Sequence, residues 1–358
     1  MDVLDKILTV LAAGEPAMLA TVIFTSGSTP VPAGARMVIH PIGSFGSVGG
    51  GALEARVEET ARRWLRDGHV SGIRRFELTE DDPESPMLCG GLADVLIEQL
   101  TPAYKECYET TQVRRNAGQD MAILTSLDHT GLVRAKIAID PGSPPDVLAI
   151  SLSLSLPAPD LGDVVRNAVG GETVIRTPFA EGELVIEPFL GVQDLFIFGG
   201  GHVSTYVARS AAMAGFRVVV VDDRADFADP RRFPDAAATL AVPFDEAWDR
   251  ITVRSSSSVV IVTRGHKHDQ RVLERAVQTP ARYIGMIGSR NKVTATFARL
   301  VERGTPKTML EKVRAPIGLK IGAITAEEIG ISITAELIAV RRGITTETIP
   351  LSARHRGG

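Results

Sequence analysis

Apolar residues at Val3, Leu4, Ile7, Leu8 and Leu11 recur at the three-and-four spacing of a helix face, and Gly14 stands where that helix would end. Residues 18–24 (Met-Leu-Ala-Thr-Val-Ile-Phe) are an unbroken apolar and β-branched run, which predicts a buried strand. It opens into Thr25-Ser26-Gly27-Ser28-Thr29-Pro30, a loop dense in hydroxyls, and residues 35–40 predict the returning strand. Residues 52–65 place Leu53, Val57, Ala61 and Leu65 on one helical stripe, directly after the turn Gly49-Gly50-Gly51. Further strands are predicted at 93–100, at 122–126 and 133–139 around Asp128-His129-Thr130-Gly131, and at 184–189 before a linker at 190–193. Over 148–156, Leu or Ile alternates with Ser, which predicts one more extended segment.

From Leu195 the pattern becomes regular. Near-continuous apolar runs at 195–198, 217–221, 259–263 and 283–287 alternate with helix-length segments such as 203–214 and 270–278. Such runs mean strands buried on both faces, hence an open parallel sheet with helices on both sides. A last helix is predicted over 326–342, with Thr325 as its N-cap and Glu328 closing a capping box. A single hydrophobic core stops growing near about 250–300 residues, and the chain has 358. The expected organisation is therefore α/β with two domains: an N-terminal α+β domain over 1–190 and a C-terminal Rossmann-like domain over 194–345.

Composition narrows the function. Net charge is −4, with 23% charged and 44% hydrophobic residues, so there is no broad basic surface and nucleic acid is excluded as a partner. The two cysteines, Cys89 and Cys107, are too few for a disulfide framework. No apolar run approaches the roughly 20 residues of a membrane span, and the first residues carry no basic-then-apolar leader. A cytoplasmic protein is expected.

Each of the four C-terminal strands ends in a polar loop: Gly199-Gly200-Gly201-His202, Asp222-Asp223-Arg224, Arg264-Gly265-His266-Lys267-His268-Asp269, and Gly288-Ser289-Arg290-Asn291-Lys292. In an open parallel sheet these loops line one crevice, where ligands bind. The glycine turn is expected to hold a phosphate at a helix N-terminus. Asp222 follows Gly201 by 21 residues, a spacing that suits a carboxylate on ribose hydroxyls and equally a loop residue that caps a turn. Ser204 stands where the dinucleotide fingerprint has its third glycine. Arg264, Lys267, Ser289, Arg290 and Lys292 suggest a cationic rim for an oxyanion, with His266 or His268 donating hydrogen bonds or moving a proton. His266, His268 and Asp269 are also a candidate metal set. Cys89, flanked by Gly90 and Gly91, is either a small buried hydrophobe or a reactive thiol.

These blocks resemble a known family. Thr25-Ser26-Gly27-Ser28-Thr29-Pro30 with Gly34-Ala35-Arg36-Met37, Gly46-Ser47-Val48-Gly49-Gly50-Gly51-Ala52-Leu53-Glu54, Cys89-Gly90-Gly91, Phe198-Gly199-Gly200-Gly201-His202-Val203, Arg264-Gly265-His266-Lys267-His268-Asp269, Tyr283-Ile284-Gly285-Met286-Ile287-Gly288-Ser289-Arg290 and Pro316-Ile317-Gly318-Leu319 resemble the XdhC/CoxI family of xanthine dehydrogenase accessory proteins. The resemblance implies a cytoplasmic maturation factor that binds molybdenum cofactor (molybdopterin) as cargo. Such a factor holds the cofactor while a cysteine desulfurase supplies its sulfido ligand, then passes it to an apo molybdenum hydroxylase. The implied cofactor contacts are Ser26, Ser28, Arg36, Gly49, Gly50, Gly51, Gly199, Gly200, Gly201, His202, Asp222, Arg264, His266, His268, Ser289 and Arg290. Cys89 is implied as the residue near molybdenum or the sulfur acceptor. A homodimer is expected, because a second subunit would shield the cargo. Two other functions stay open: an NAD(P)-dependent oxidoreductase using the same crevice, and a metal-dependent hydrolase centred on His266, His268 and Asp269.

Overall fold

A computed structural model describes residues 2–78, 91–143, 158–179 and 182–344, the side chains of 158–160 excepted. Contacts divide the chain into two compact units, Met1–Gly191 and Val192–Gly358. The predicted segment at 148–156 and Cys89 lie outside the described residues.

The first unit contains α1 (Val3–Ala13), β1 (Met18–Ser26), β2 (Arg36–His40), β3 (Gly43–Gly46), α2 (Gly51–Asp67), β4 (Ser71–Leu78), β5 (Gly91–Gln99), α3 (Lys105–Asn116), β6 (Met121–Asp128), β7 (Val133–Ile139), α4 (Ala158–Gly170), β8 (Ile175–Phe179) and β9 (Gly182–Phe189). The strands form two antiparallel sheets, ordered β3-β2-β1-β5-β4 and β7-β6-β9-β8. Alternation along β1 sorts its side chains. Met18, Ala20 and Val22 pack with Leu53, Val57 and Ala61 of α2, while Leu19 packs with α1, α3 and residues Met121 and Ile123 of β6. Helix α4 covers the other face of the second sheet, on Ala122, Leu124 and Ile186. The sequence pattern missed β3, β4, β8, α3 and α4. Strand β4 is half exposed and α3 is dominated by polar residues, so neither shows a clean apolar period.

The second unit contains β10 (Asp194–Phe198), α5 (His202–Met213), β11 (Arg217–Asp222), β12 (Ala238–Ala241), α6 (Phe244–Ala247), β13 (Ser258–Ile261), α7 (His266–Ala276), β14 (Tyr283–Met286), α8 (Arg290–Glu302), α9 (Lys307–Leu310) and α10 (Ala326–Arg341). Five parallel strands run in the order β12-β11-β10-β13-β14. Leu195, Ile197, Val218 and Val220 face α5 and α10; Phe196, Phe198, Val259 and Ile261 face α7 and α8. This is the Rossmann-like sheet, covered on both faces, that the apolar runs predicted. Helix α7 begins at His266, four residues earlier than the pattern placed it. Asp269 turns inward there and is fully buried, so the apolar stripe is interrupted at its start.

Candidate functional site

Strand β10 is the centre of the parallel sheet. The chain leaves it for β11 and β12 on one side and returns for β13 and β14 on the other, so strand order reverses between β10 and β13. Ligand crevices form at such a switch point. Gly199 opens the turn there at φ 111°, and a Cβ on it would lie 2.5 Å from the carbonyl oxygen of Val262. A Cβ on Gly200 would strike the carbonyl of Phe227, whereas one on Gly201 would meet nothing within 4 Å. The first two glycines thus admit neighbouring backbone, and the third faces open space.

Gly201 is the N-cap of α5 and provides no side-chain cap. Gly265 does the same for α7, and a Cβ there would also meet nothing. The first backbone N–H groups of a helix have no intrahelical partner, and they carry the positive end of its dipole. Two such uncapped ends flank the switch point. Helix α8 differs, because Ser289 accepts the N–H of Lys292 at 3.3 Å and caps its own helix. Ser204 is fully buried, and its hydroxyl donates to the carbonyl of Gly199 at 2.5 Å. It ties the first turn of α5 back onto the glycine turn, which a third glycine would not do.

Asp222 is buried at the end of β11 with both oxygens engaged. Oδ2 accepts the N–H of Gly200 at 2.8 Å and Nη2 of Arg224 at 3.1 Å; Oδ1 accepts the N–H of Arg224 at 3.0 Å and its Nε at 2.9 Å. Burial pushes this carboxyl up, but the Arg224 guanidinium and the two backbone donors outweigh it and hold it below the usual value. Arg224 in turn lies 3.4 Å from the ring centroid of Phe227.

The cationic rim is largely neutralised by its own carboxylates. Arg264 pairs with Asp223 through two contacts at 2.5 and 2.8 Å. Lys292 reaches the buried Asp269 at 2.5 Å, and Asp269 also accepts the hydroxyl of Thr263 at 2.6 Å. Arg290, His266 and Lys267 remain exposed. His202 is exposed and contacts the edge of Tyr206, whose phenol bonds Glu327. His266 and His268 lie on α7, where residues two apart point about 200° apart. His268 rests against the ring of Phe244. Among the described residues no group of three His, Cys, Asp or Glu is arranged to hold a metal ion. The candidate metal set is not brought together: its two histidines point apart on α7, and Asp269 is held by Thr263 and Lys292.

The first unit's glycine turn is already filled. Glu54 Oε2 accepts the N–H of Gly50 at 3.0 Å and the hydroxyl of Ser47 at 2.7 Å, while Gly49 donates to that hydroxyl at 3.2 Å. A carboxylate from the first turn of α2 therefore takes the N–H of Gly50 in this turn, one of the implied cofactor contacts. Ser26 and Ser28 are exposed, and a Cβ on Gly91 would lie 2.9 Å from the carbonyl oxygen of Ser26. Arg36 is also committed elsewhere: Nε donates to Glu187 at 2.9 Å and the guanidinium lies 4.2 Å from the centroid of Phe189.

That pair belongs to a buried network the sequence pattern does not reveal. Lys136 donates to Glu98 at 2.5 Å and to the Tyr108 hydroxyl at 3.1 Å, with Glu187 at 4.0 Å. A signal for it exists, since Glu98 and Lys136 interrupt otherwise apolar strands. Glu336 is a second residue that the sequence pattern misses. It accepts the Tyr283 hydroxyl at 2.5 Å and the N–H of Gly318 at 2.9 Å, so Pro316-Ile317-Gly318-Leu319 is anchored to α10.

Two family models match this chain: residues 195–337 match the XdhC Rossmann domain, and residues 10–77 match the XdhC and CoxI family. Over 336 residues it is 25% identical to a probable xanthine dehydrogenase subunit of Bacillus subtilis (strain 168), covering 92% of this chain and 94% of that protein. Over 336 residues it is 24% identical to the molybdenum cofactor insertion chaperone PaoD of Escherichia coli (strain K12), covering 92% and 85%. A stretch of 148 residues, 41% of this chain, is 33% identical to the uncharacterized protein YqeB of the same strain and spans 27% of that protein's length. The fold matches a crystal structure of a xanthine dehydrogenase from Bacillus halodurans with a TM-score of 0.77 at 23% identity, over 99% of this chain and 100% of that one. The family matches fall on the glycine turn, the rim loops and the first unit's hydroxyl loop, and they make this chain a member of the XdhC and CoxI family.

Proposed function

We propose that this protein is a maturation factor for a xanthine dehydrogenase-type molybdenum hydroxylase, binding molybdenum cofactor as cargo and passing it to the apoenzyme. The observation that carries this reading is the state of the 199–201 turn. The uncapped N-terminus of α5 faces open space, while the carboxylate that a dinucleotide enzyme would offer to ribose is held by Gly200 and Arg224. A single terminal phosphate, as on a pterin, suits that arrangement better than a ribose and pyrophosphate do. The name of the PaoD relative supports the same cargo.

In this reading Gly201, His202 and the first turn of α5 hold the phosphate, with Gly265, His266 and Arg290 on the same rim. Ser26 and Ser28 are exposed hydroxyls in the first unit's own loop and are proposed as cofactor contacts by the family resemblance alone. Cys89 is the thiol nearest the molybdenum or the acceptor of sulfur from a cysteine desulfurase, since a thiolate suits both roles. The protein works in the cytoplasm as a homodimer. Cysteine chemistry is tested by Cys89→Ala: cofactor retention or activation of an apo-hydroxylase falls at least tenfold. Full retention together with full activation in that variant removes Cys89 from the mechanism.

A further inference from the structure

The second unit holds a half-open cavity of about 480 Å³ between α5 and the 3-10 turn Pro230–Arg232. Thr205, Tyr206, Arg209, Arg231, Arg232 and Asp235 are among the residues that line it, and none of residues 199–202 does. Its arginines are not equivalent. Arg231 is clamped by Asp229 through contacts at 2.5 and 2.9 Å. Arg232 donates to the carbonyl of Phe227 at 3.2 Å and lies 4.9 Å from the centroid of that ring, so backbone and ring position it while Asp229 acts on it only at longer range. Arg209 is exposed and has no carboxylate partner among the described residues.

Arg209 and Arg232, neither in an ion pair with a carboxylate among the described residues, therefore line one concavity, with Asp235 on the same wall. Like charges held around a common space repel, and their joint field attracts an anion. Guanidinium forks match phosphate oxygens in particular. The remaining wall supplies flat and apolar surface from Tyr206, Ala208 and Pro234. The volume lies within the range of small-molecule sites, about 300–1,000 Å³. We propose that this cavity binds a phosphate-bearing small molecule of nucleotide size, with its phosphates on Arg209 and Arg232 and its ring against Tyr206 and Pro234. The proposal stands on this cavity alone and is independent of the cargo at the glycine turn.

The test is calorimetric titration of the full chain with ATP, ADP, inorganic pyrophosphate and adenosine, at low and high salt. ATP and ADP bind saturably, adenosine does not, and affinity falls with salt as charge screening requires. Arg209→Glu weakens ATP at least tenfold, as does Arg232→Gln, while Gly201→Asp leaves ATP affinity unchanged. Circular dichroism checks folding, and Arg209→Gln replaces the charge reversal if that variant unfolds. The proposal is overturned by absence of saturable binding of all three phosphate probes, or by ATP affinity that Arg209→Glu leaves intact. Loss of ATP binding in Gly201→Asp overturns it too, because the ligand would then sit on the glycine turn. So does tighter binding of an oligoglutamate peptide than of any phosphate probe, which would mark a protein partner.

Discussion

Gly200 donates its backbone N–H to Oδ2 of Asp222 at 2.8 Å, so the carboxylate at the end of β11 holds the glycine turn from within. Replacing Asp222 by Ala leaves this buried donor and the Arg224 guanidinium without their acceptor. Hydrogen bonds to charged groups contribute about 1.5–3 kcal/mol, and a loss of about 2–3 kcal/mol in urea unfolding is the expected outcome. The pH dependence has a definite sign. Asp222 is held below its ordinary value, so its contribution is complete above the unfolded pKa and is lost as pH falls through the folded one. Asp222→Asn is therefore less stable than the parent at pH 7, and the two converge in acid. Parallel unfolding curves from pH 7 down to the acid transition check this.

In the first unit, Lys136 has a fully buried side chain and lies 2.5 Å from Glu98, with Arg36 acting on the same carboxylate at longer range. Burial pushes the Glu98 carboxyl up while Lys136 draws it back. Removing one partner of a buried pair costs about 3–5 kcal/mol, because an uncompensated charge is left behind. Lys136→Met is expected to lose that much, and Lys136→Met with Glu98→Gln to recover most of it. Urea midpoints of both variants decide the matter. A single substitution that costs under 1 kcal/mol would show that the network is not ionic.

Cys107 is buried in α3, and that burial pushes its thiol up to about 12. A thiol needs its thiolate to react. In a Cys89→Ala protein, Ellman's reagent is expected to label nothing until the chain is unfolded, and then one thiol per chain. Prompt labelling of the native variant would contradict the burial of Cys107.

The second unit is legible in the sequence because strands buried on both faces write themselves as apolar runs, as at Leu195, Phe196, Ile197 and Phe198. The rim loops are legible for a related reason, since parallel topology sends the ends of all these strands to one edge. Which charges face each other is not legible. Arg264 reads as a free cation until Asp223 is found beside it, and Gly50 reads as an open anion seat until Glu54 is found in it. Such pairings depend on χ angles and local turns, and residue type carries no record of them. The first unit is less legible because polar residues at buried positions, such as Glu98 and Lys136, break the alternation that marks a strand.

In the proposed function the open N-terminus of α5 holds the phosphate of the cargo, and Gly201→Asp probes that contact. Gly201 is already in extended backbone, and a Cβ there meets nothing, so the substitution is sterically free. An aspartate at the N-cap stabilises the helix by a few tenths of a kcal/mol relative to glycine, and its carboxylate fills the anion seat. Parent and variant are mixed anaerobically with molybdopterin-bound molybdenum, desalted and analysed for metal. Near-stoichiometric molybdenum is expected on the parent, with at least a tenfold loss on a variant that folds as well or better. A parent that carries no molybdenum yet binds NAD(H), or a variant that retains the metal fully, would contradict it.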